Sequence, residues 1–342
     1  MINDPPVTMK DIAEKFGVSV ATVSRALGGN TRISAERREA IQAYAKEHHF
    51  VPNFIAESLR HSRTKTQKII GVIVPEVTHY YFASILTGIT CEAATRGYQI
   101  MLAISEEKYA NELRICQQMA IYKVCGVIVS QAKDTQQYDH FRRLMDKGIP
   151  MVFYDRICIG IDSNRVVVDD YMGAFTAVSH LINTGCRRIA FYSSPMNMEI
   201  SKNRYNGYRD ALLKFGIKPD DSLIRYCDNR IAAEAVTPEM LERADRPDAF
   251  FAVNDDTAIG ILYVAKRMGF KVPEEISICG FTNGVRAVSC DPMLTTVEQR
   301  GVAVGKEAAD MLINKVEGIT PMDKVEKRVV RTRLILRGTT RN

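Results

Sequence analysis

No stretch of this 342-residue chain is both long and apolar: hydrophobic runs such as Ile69 to Val74 are far too short to cross a bilayer. The start, "MINDPPVTMKD", carries neither the basic nor the apolar region of a secretory signal, so a cytoplasmic protein is expected. The cysteines at 91, 116, 125, 158, 186, 227, 279 and 290 include no CxxC pair, which argues against zinc or a disulfide framework and for reduced, mostly buried thiols. No GxGxxG follows an early strand, and there is no GxxxxGK[ST] loop or GxSxG elbow. Asp169 and Asp170 are adjacent and so point in two directions on a strand or at a helix start, which argues against a paired-carboxylate site. These absences count against an enzyme, and no metal or cofactor is expected.

What is present is ordinary globular composition, 46% hydrophobic and 25% charged, in a chain long enough for two or three units. The formal charge of +6 is uneven: residues 1–68 hold 11 Lys/Arg against 7 Asp/Glu, leaving 35 against 33 for the rest. A basic excess on a small front module suits contact with phosphates, although a solvated surface would look the same.

From Thr8 to about His48 the pattern predicts three short helices with breaks at 17–19 and 28–33. Met9, Ile12, Ala13 and Phe16 share one face of the first; Ala40, Ile41, Tyr44 and Ala45 share one of the third, after a cap at Ser34. In the second, "VSVATVSRALGG", Val20, Val23 and Leu27 fall on the packing side and Ala21, Ser24 and Arg25 on the free side. Helix, tight turn at Gly17 and short helix capped by Ser19 make a helix-turn-helix. Small residues at the start of a second helix allow close approach to base edges in the major groove. Val20 and Ala21 are therefore expected to face bases and Arg25 a guanine or phosphate, with the hydroxyls of Ser19, Thr22 and Ser24 on phosphates. Three helices forming an ordinary packing subdomain is the alternative.

After Ile69 the texture changes. "IIGVIVP", "YQIMLAI", "VCGVIVS" and "IPMVFYD" read as strands, and "RRIAFYSS", "DAFFAV" and "ISICGF" form a second series. Helical patterns at 82–96, 112–122, 174–184, 204–215 and 258–268 separate them, which implies an α/β core of doubly wound parallel sheets in two lobes. The expected crossings are near Gly160–Ser163 and at "SCDPMLTT", giving lobe one as about 69–161 and 291–320 and lobe two as about 162–290 and 321–342. Ligands of such sheets bind beyond the carboxyl ends of strands, so the residues that follow strands are candidates. Those are His79, Tyr80, Tyr81 and Phe82; Asp155 and Arg156; Asn254 and Asp255; Thr282 and Asn283. Asp255 reads equally well as a structural cap.

"VTMKDIAEKFGVSVATVSRALGGNTRISAERREAIQAYAKEHHFVPNFIAESLR" closely resembles the DNA-binding head of the lactose-repressor (LacI/GalR) family of bacterial transcription regulators. "GVIVPEVTHYYFASILTGI", "RYNGYRDAL", "VNDDTAIG", "VPEEISICGF" and "LTTVEQ" resemble that family's core in order, so the likeness spans nearly the whole chain. The resemblance implies an all-α head (1–50), a hinge helix and linker (51–68) and a type I periplasmic-binding-protein-like core (69–342), acting as a dimer on a pseudo-palindromic DNA operator. Asn53 can cap a short hinge helix from Phe54; in the family two such helices pair in the minor groove, where the residue matching Leu59 wedges between base pairs. The expected DNA contacts are thus Thr8, Ser19, Val20, Ala21, Thr22, Ser24, Arg25, Asn53, Ala56 and Leu59. Glu57 stands where many members carry a basic residue.

The resemblance also implies an effector held between the lobes, with Arg204 and Asn254 hydrogen-bonding it, Phe82 as an aromatic wall and Gln299 as a polar group at the crossover. The expected effector set is His79, Tyr80, Phe82, Asp155, Arg156, Arg204, Asn254, Thr282, Asn283 and Gln299. Thr282 and Asn283 replace an acidic residue common in sugar-sensing relatives, and His79 and Tyr80 replace the usual Asn-Pro. With Arg204, Arg156 and His79 nearby, a sugar acid or sugar phosphate becomes the expected variant of a sugar ligand, because a guanidinium grips such groups with two prongs. No apolar heptad tail follows "RLILRGTTRN", so a dimer rather than a coiled-coil tetramer is expected. The rival is a periplasmic-type solute-binding protein without DNA function, for which the core alone would suffice.

Overall fold

The computed structural model describes residues 7–30, 32–48, 50, 68–158 and 160–341. The chain divides into two compact units, 1–67 and 68–342.

In the first unit, α1 (Met9–Lys15), α2 (Val20–Leu27) and α3 (Ala35–Glu47) enclose Ile12, Ala13, Val23, Ala26, Ile41 and Ala45. Gly17, at φ +60, makes the turn between α1 and α2. Gln42 Nε2 donates to the Ala26 carbonyl at 3.0 Å and ties α3 to α2. Two expectations change here. Ala40 is exposed, because Ile41 and Ala45 alone define the buried stripe of α3. Ser34 holds the cap position of α3 without a side-chain cap bond. The expected hinge helix lies outside the described residues.

The second unit contains two six-stranded sheets. Sheet one runs β11-β5-β4-β3-β1-β2, all parallel: β1 (Ile69–Val74), β2 (Gln99–Ile104), β3 (Gly126–Val129), β4 (Met151–Tyr154), β5 (Asn164–Val168) and β11 (Lys327–Val330). Sheet two runs β12-β10-β9-β8-β6-β7, with β6 (Ile189–Ser193), β7 (Ile224–Tyr226), β8 (Ala249–Ala252), β9 (Ser277–Thr282), β10 (Thr295–Glu298) and β12 (Arg333–Ile335). Among the described residues only the β10–β12 pair is antiparallel.

Each sheet is apolar on both faces, as buried parallel sheets must be. In β1, Ile70, Val72 and Val74 pack beneath α4 (Tyr80–Thr95) and α12 (Gly301–Val316), while Ile73 packs on the other face with residues of α5 (Tyr109–Ile121) and α6 (Asp139–Asp146). Sheet two is covered on one face by α7 (Asp170–Asn183) and α8 (Glu199–Lys214), and on the other by α9 (Arg230–Glu242) and α10 (Asp255–Arg267). The short α11 is Val285–Ser289. Helices α4 and α12 approach so closely that a Cβ on Gly305 would overlap the Ile85 carbonyl and lie 2.8 Å from the Ile89 nitrogen.

The lobe crossings differ from the expected ones. The polar break at 160–163 is a loop inside lobe one, because β5 after it hydrogen-bonds to β4. The chain therefore crosses after Val168, returns after Glu298 and crosses again between β11 and β12. Residues 291–298 belong to lobe two and β11 to lobe one, since ladder pairing rather than local polarity decides sheet membership.

Candidate functional site

The first unit presents α2 as follows. Ser19 Oγ accepts the Thr22 N–H at 3.2 Å and pairs with the Thr22 hydroxyl at 2.9 Å, so both hydroxyls start the helix as a cap. Val20 is half-buried against the core; Ala21 beside it is exposed, and Ser24 is half-buried. Arg25 is exposed, and its side chain has no hydrogen-bond or ion-pair partner among the described residues. Thr8 closes a capping box on α1 with Asp11, whose carboxylate accepts from the Thr8 N–H at 2.8 Å and from its hydroxyl at 2.7 Å. The Thr8 side chain holds Asp11 below the usual carboxylate range. Asn53, Ala56 and Leu59 lie outside the described residues.

In the second unit, strand ends from both sheets meet at a cleft with about 80 Å³ of open space. Of the expected effector residues it is lined by His79, Phe82, Asp155, Arg156, Arg204, Asn254, Thr282 and Gln299. Tyr80 and Asn283 do not line it; they face a separate hollow with Arg300 and Lys306. Successive helical residues diverge, so Tyr81 of α4 turns into the cleft and Tyr80 away. Asn283 adopts φ +61, and its side chain turns to Glu298 and Arg337 at 3.2 and 2.7 Å.

Each polar group in the cleft has a defined setting. Arg204 donates from Nε to Asp170 at 2.8 Å, lies 2.7 Å from the same carboxylate through its second terminal nitrogen, and donates to the Val253 carbonyl at 2.6 Å, with its guanidinium 3.9 Å from the Phe281 ring centroid. Arg156 reaches Glu107 at 2.5 Å and lies 3.9 Å from Asp155, with its guanidinium 5.4 Å from the Phe82 ring centroid. Asn254 caps α10 by accepting the Thr257 N–H at 2.8 Å and donates to the Asp228 carbonyl at 2.7 Å. The Thr282 hydroxyl donates to Gln299 at 3.0 Å and joins β9 to the crossover. Tyr81, a strand-end candidate left out of the narrower effector set, is buried with its hydroxyl unpartnered. Burial pushes that phenol well up, as do the carboxylates of Asp155 and Asp170.

Burial also raises Asp155 and brings Asp170 up to about 6, against the lowering effect of Arg204. His79 is lowered, chiefly by burial. Asp255 is structural: it accepts the Thr296 hydroxyl at 2.5 Å and the Gly284 N–H at 2.8 Å, behind β9. Sequence reasoning also missed Lys133 and Asp228, which line the cleft and pair at 2.8 Å across it. The strand-end rule that selected His79 and Asp155 would have found both, because they follow β3 and β7.

Among the described residues no group of three His, Cys, Asp or Glu is placed to hold a metal, and no helix is long and apolar enough to cross a membrane. The eight cysteines are free thiols, six of them buried. A helix-turn-helix head and a two-lobed core closing on a polar cleft define a DNA-binding protein that responds to a small ligand.

Comparison with known proteins gives the same class. Residues 8–53 match "Bacterial regulatory proteins, lacI family" and residues 178–340 match "Periplasmic binding protein-like domain". The chain is 31% identical to the HTH-type transcriptional repressor CytR of Escherichia coli K12 over 98% of this chain and 96% of that one. It is 30% identical to the ribose operon repressor of Halalkalibacterium halodurans over 98% and 97%. Among solved structures, a transcriptional regulator CelR–cellobiose complex aligns at TM-score 0.74 and 28% identity, covering 97% of this chain and 99% of that one. A Lac repressor dimer bound to operator shares the fold at TM-score 0.87 and 23% identity, over 99% and 100%. The chain belongs to the LacI family. It is a DNA-binding transcriptional regulator whose operator affinity is controlled by a small ligand, not a solute-binding protein without DNA function.

Proposed function

We propose that this protein is a cytoplasmic, homodimeric repressor without enzymatic activity, released from or recruited to a pseudo-palindromic operator by an uncharged, hydroxyl-rich effector of the sugar class. The observation that carries the effector class is the charge balance of the cleft. Glu76, Asp155 and Asp228 line it, and Glu107 and Asp170 stand behind its arginines, against the three cations Lys133, Arg156 and Arg204. An anionic ligand gains little from such a site, whereas carboxylates, amides and guanidinium N–H groups bond hydroxyls well. The sugar-acid or sugar-phosphate variant loses its support, because both arginines already hold carboxylates. Sugars named with relatives, cellobiose for CelR and ribose in a ribose operon repressor, point to the same class.

On the DNA side, Ala21 and Arg25 offer exposed groups for base edges, with Val20 contributing its accessible part. Ser19, Thr22, Ser24 and Thr8 contact phosphates through hydroxyls that also serve caps. Asn53, Ala56 and Leu59 supply the central minor-groove contacts. A ligand that prefers one lobe arrangement shifts operator affinity by its differential binding to the two states. Selection of genomic fragments by the purified protein, with and without a panel of neutral sugars, sugar acids and sugar phosphates, tests this. A two-fold symmetric site modulated by a neutral sugar is expected; only asymmetric or non-specific fragments, or modulation by acids and phosphates alone, refutes it.

A further inference from the structure

Two buried arginines in one ligand cleft would ordinarily announce an anion site, because each guanidinium offers two edges that match a carboxylate or phosphate. Here a carboxylate already stands on each guanidinium. On Arg204, Asp170 occupies the Nε edge through one oxygen at 2.8 and 2.7 Å, and the Val253 carbonyl holds the remaining nitrogen at 2.6 Å. On Arg156, Glu107 holds one terminal nitrogen at 2.5 Å and Asp155 stands 3.9 Å away, so carboxylates oppose its charge while its Nε has no hydrogen-bond partner. Neither Asp170 nor Glu107 lines the cleft; both reach its arginines from behind. Asp170 sits in the first turn of α7 and is 4% exposed, and Glu107 is held in turn by the Lys133 N–H at 2.9 Å. Burying the Asp170 carboxylate costs desolvation that packing alone would not ask for, so its placement on a cleft cation needs a purpose.

We propose that Asp170 and Glu107 are the charge-selectivity residues of the effector cleft: Asp170 by occupying the Nε edge of Arg204, and Glu107 by neutralising Arg156 through one terminal nitrogen, reject carboxylate and phosphate ligands and reserve the cleft for uncharged polyols. The inference rests on the assignment of this cleft as the effector site. Arg204 keeps N–H groups with which to donate to a hydroxyl, but its charge is opposed by Asp170 and its Nε edge is taken. Both carboxylates are thus positioning residues, acting on the ligand through the arginines.

The test uses the full-length protein and ions of fixed charge. Sulfate and glucuronate binding are measured by calorimetry at pH 7.5 for wild type, Asp170→Asn, Glu107→Gln and the double variant Asp170→Asn/Arg204→Met, with glucose and ribose as neutral probes. Asp170→Asn and Glu107→Gln are each expected to bind sulfate and glucuronate at least about tenfold more tightly than wild type, a gain the added Arg204→Met removes. A second readout separates selection from mere structure. Asp170, which faces Arg204 of α8, Asp155 after β4, its neighbour Asp169 and the Tyr81 hydroxyl, is ionised above about pH 6, so sulfate affinity of wild type should rise more steeply below that pH than that of Asp170→Asn. Equal anion affinity in wild type and both single variants, all folded by circular dichroism, overturns the inference, as does tighter binding of glucuronate than of glucose by wild type. Anion gains in the variants with no neutral sugar bound by wild type would uphold the selectivity and reject the sugar reading; a neutral sugar bound with no gain in the variants would do the reverse.

Discussion

The Lys133–Asp228 pair makes a quantitative claim about lobe closure. Lys133 comes from sheet one, in a segment whose backbone is pinned by carboxylates: Glu107 accepts the Lys133 N–H at 2.9 Å, and buried Glu112 accepts the Ala132 N–H and the Thr135 hydroxyl, each at 2.7 Å. Asp228 follows β7 of sheet two, and its backbone carbonyl is held by Asn254. The charged atoms lie 2.8 Å apart, with side chains 38% and 16% exposed. At that separation two charges attract by about 1.5 kcal/mol in water and about 6 at an effective dielectric near 20. Lysine exposure above a third discounts the larger figure, leaving about 1 kcal/mol, or about a fivefold change in the ratio of open to closed lobes. Burial alone would raise Asp228, but Lys133 holds it below the usual carboxylate range. The closing contribution is therefore complete above the ordinary carboxylate value and disappears as pH falls through the lower, folded one.

The assay is a double-mutant cycle of Lys133→Met and Asp228→Asn in ligand-free protein, with spin labels at exposed Lys147 and Lys218, one per lobe, and distances read by pulsed electron resonance. Each single variant should raise the open population about fivefold, the double no further, and salt should erode the wild-type advantage. Open populations unchanged within twofold, or single effects that add in the double variant, would refute the reasoning.

Three further outcomes are expected. Arg25→Ala should lose about 1–3 kcal/mol of discrimination at one base step of the operator, whereas Thr22→Ala should weaken all sequences alike; binding to single-base operator variants separates them. Gly305→Ala should cost about 1–3 kcal/mol by forcing α4 and α12 apart, a fall in melting temperature of about 2–10 °C in calorimetry, and an unchanged melt would show that the crossing is loose. Asp255, brought up to about 6 mainly by burial, takes up a proton on folding between its unfolded and folded values, so the core should lose stability as pH rises from about 4 to 6. Asp255→Asn should flatten that slope in urea titrations, and an identical slope in both proteins would exclude Asp255 as its source.

Local signals carried much of this protein. Val23 and Ile41 repeat at helical spacing because a three-helix core needs one apolar stripe per helix, and β1 or β8 reads as a strand because both its faces are buried. The family motifs lie in contiguous segments and were legible as such. Helix starts were less legible: α8 begins at Glu199 and α7 at Asp170, before the apolar pattern expected from Arg204 and Ala174. First turns that face a polar cleft do not obey the core's periodicity. Short strands such as β5, β10 and β11 gained their sheet from partners far along the chain, Asn164–Val168 through Lys327–Val330 among them, and no local pattern states that pairing. The sequence by itself determined the class of the two units, the reading helix and most strand ends of the cleft, since these depend on periodicity and on the chain direction of parallel strands. Only the tertiary structure decided that Asp170 and Glu107 cancel the cleft arginines, that Tyr81 rather than Tyr80 faces the ligand space, and that Lys133 meets Asp228. Charge compensation and side-chain direction are set by residues 34 to 95 positions apart, brought together only when each sheet assembles with its helices and the two lobes meet.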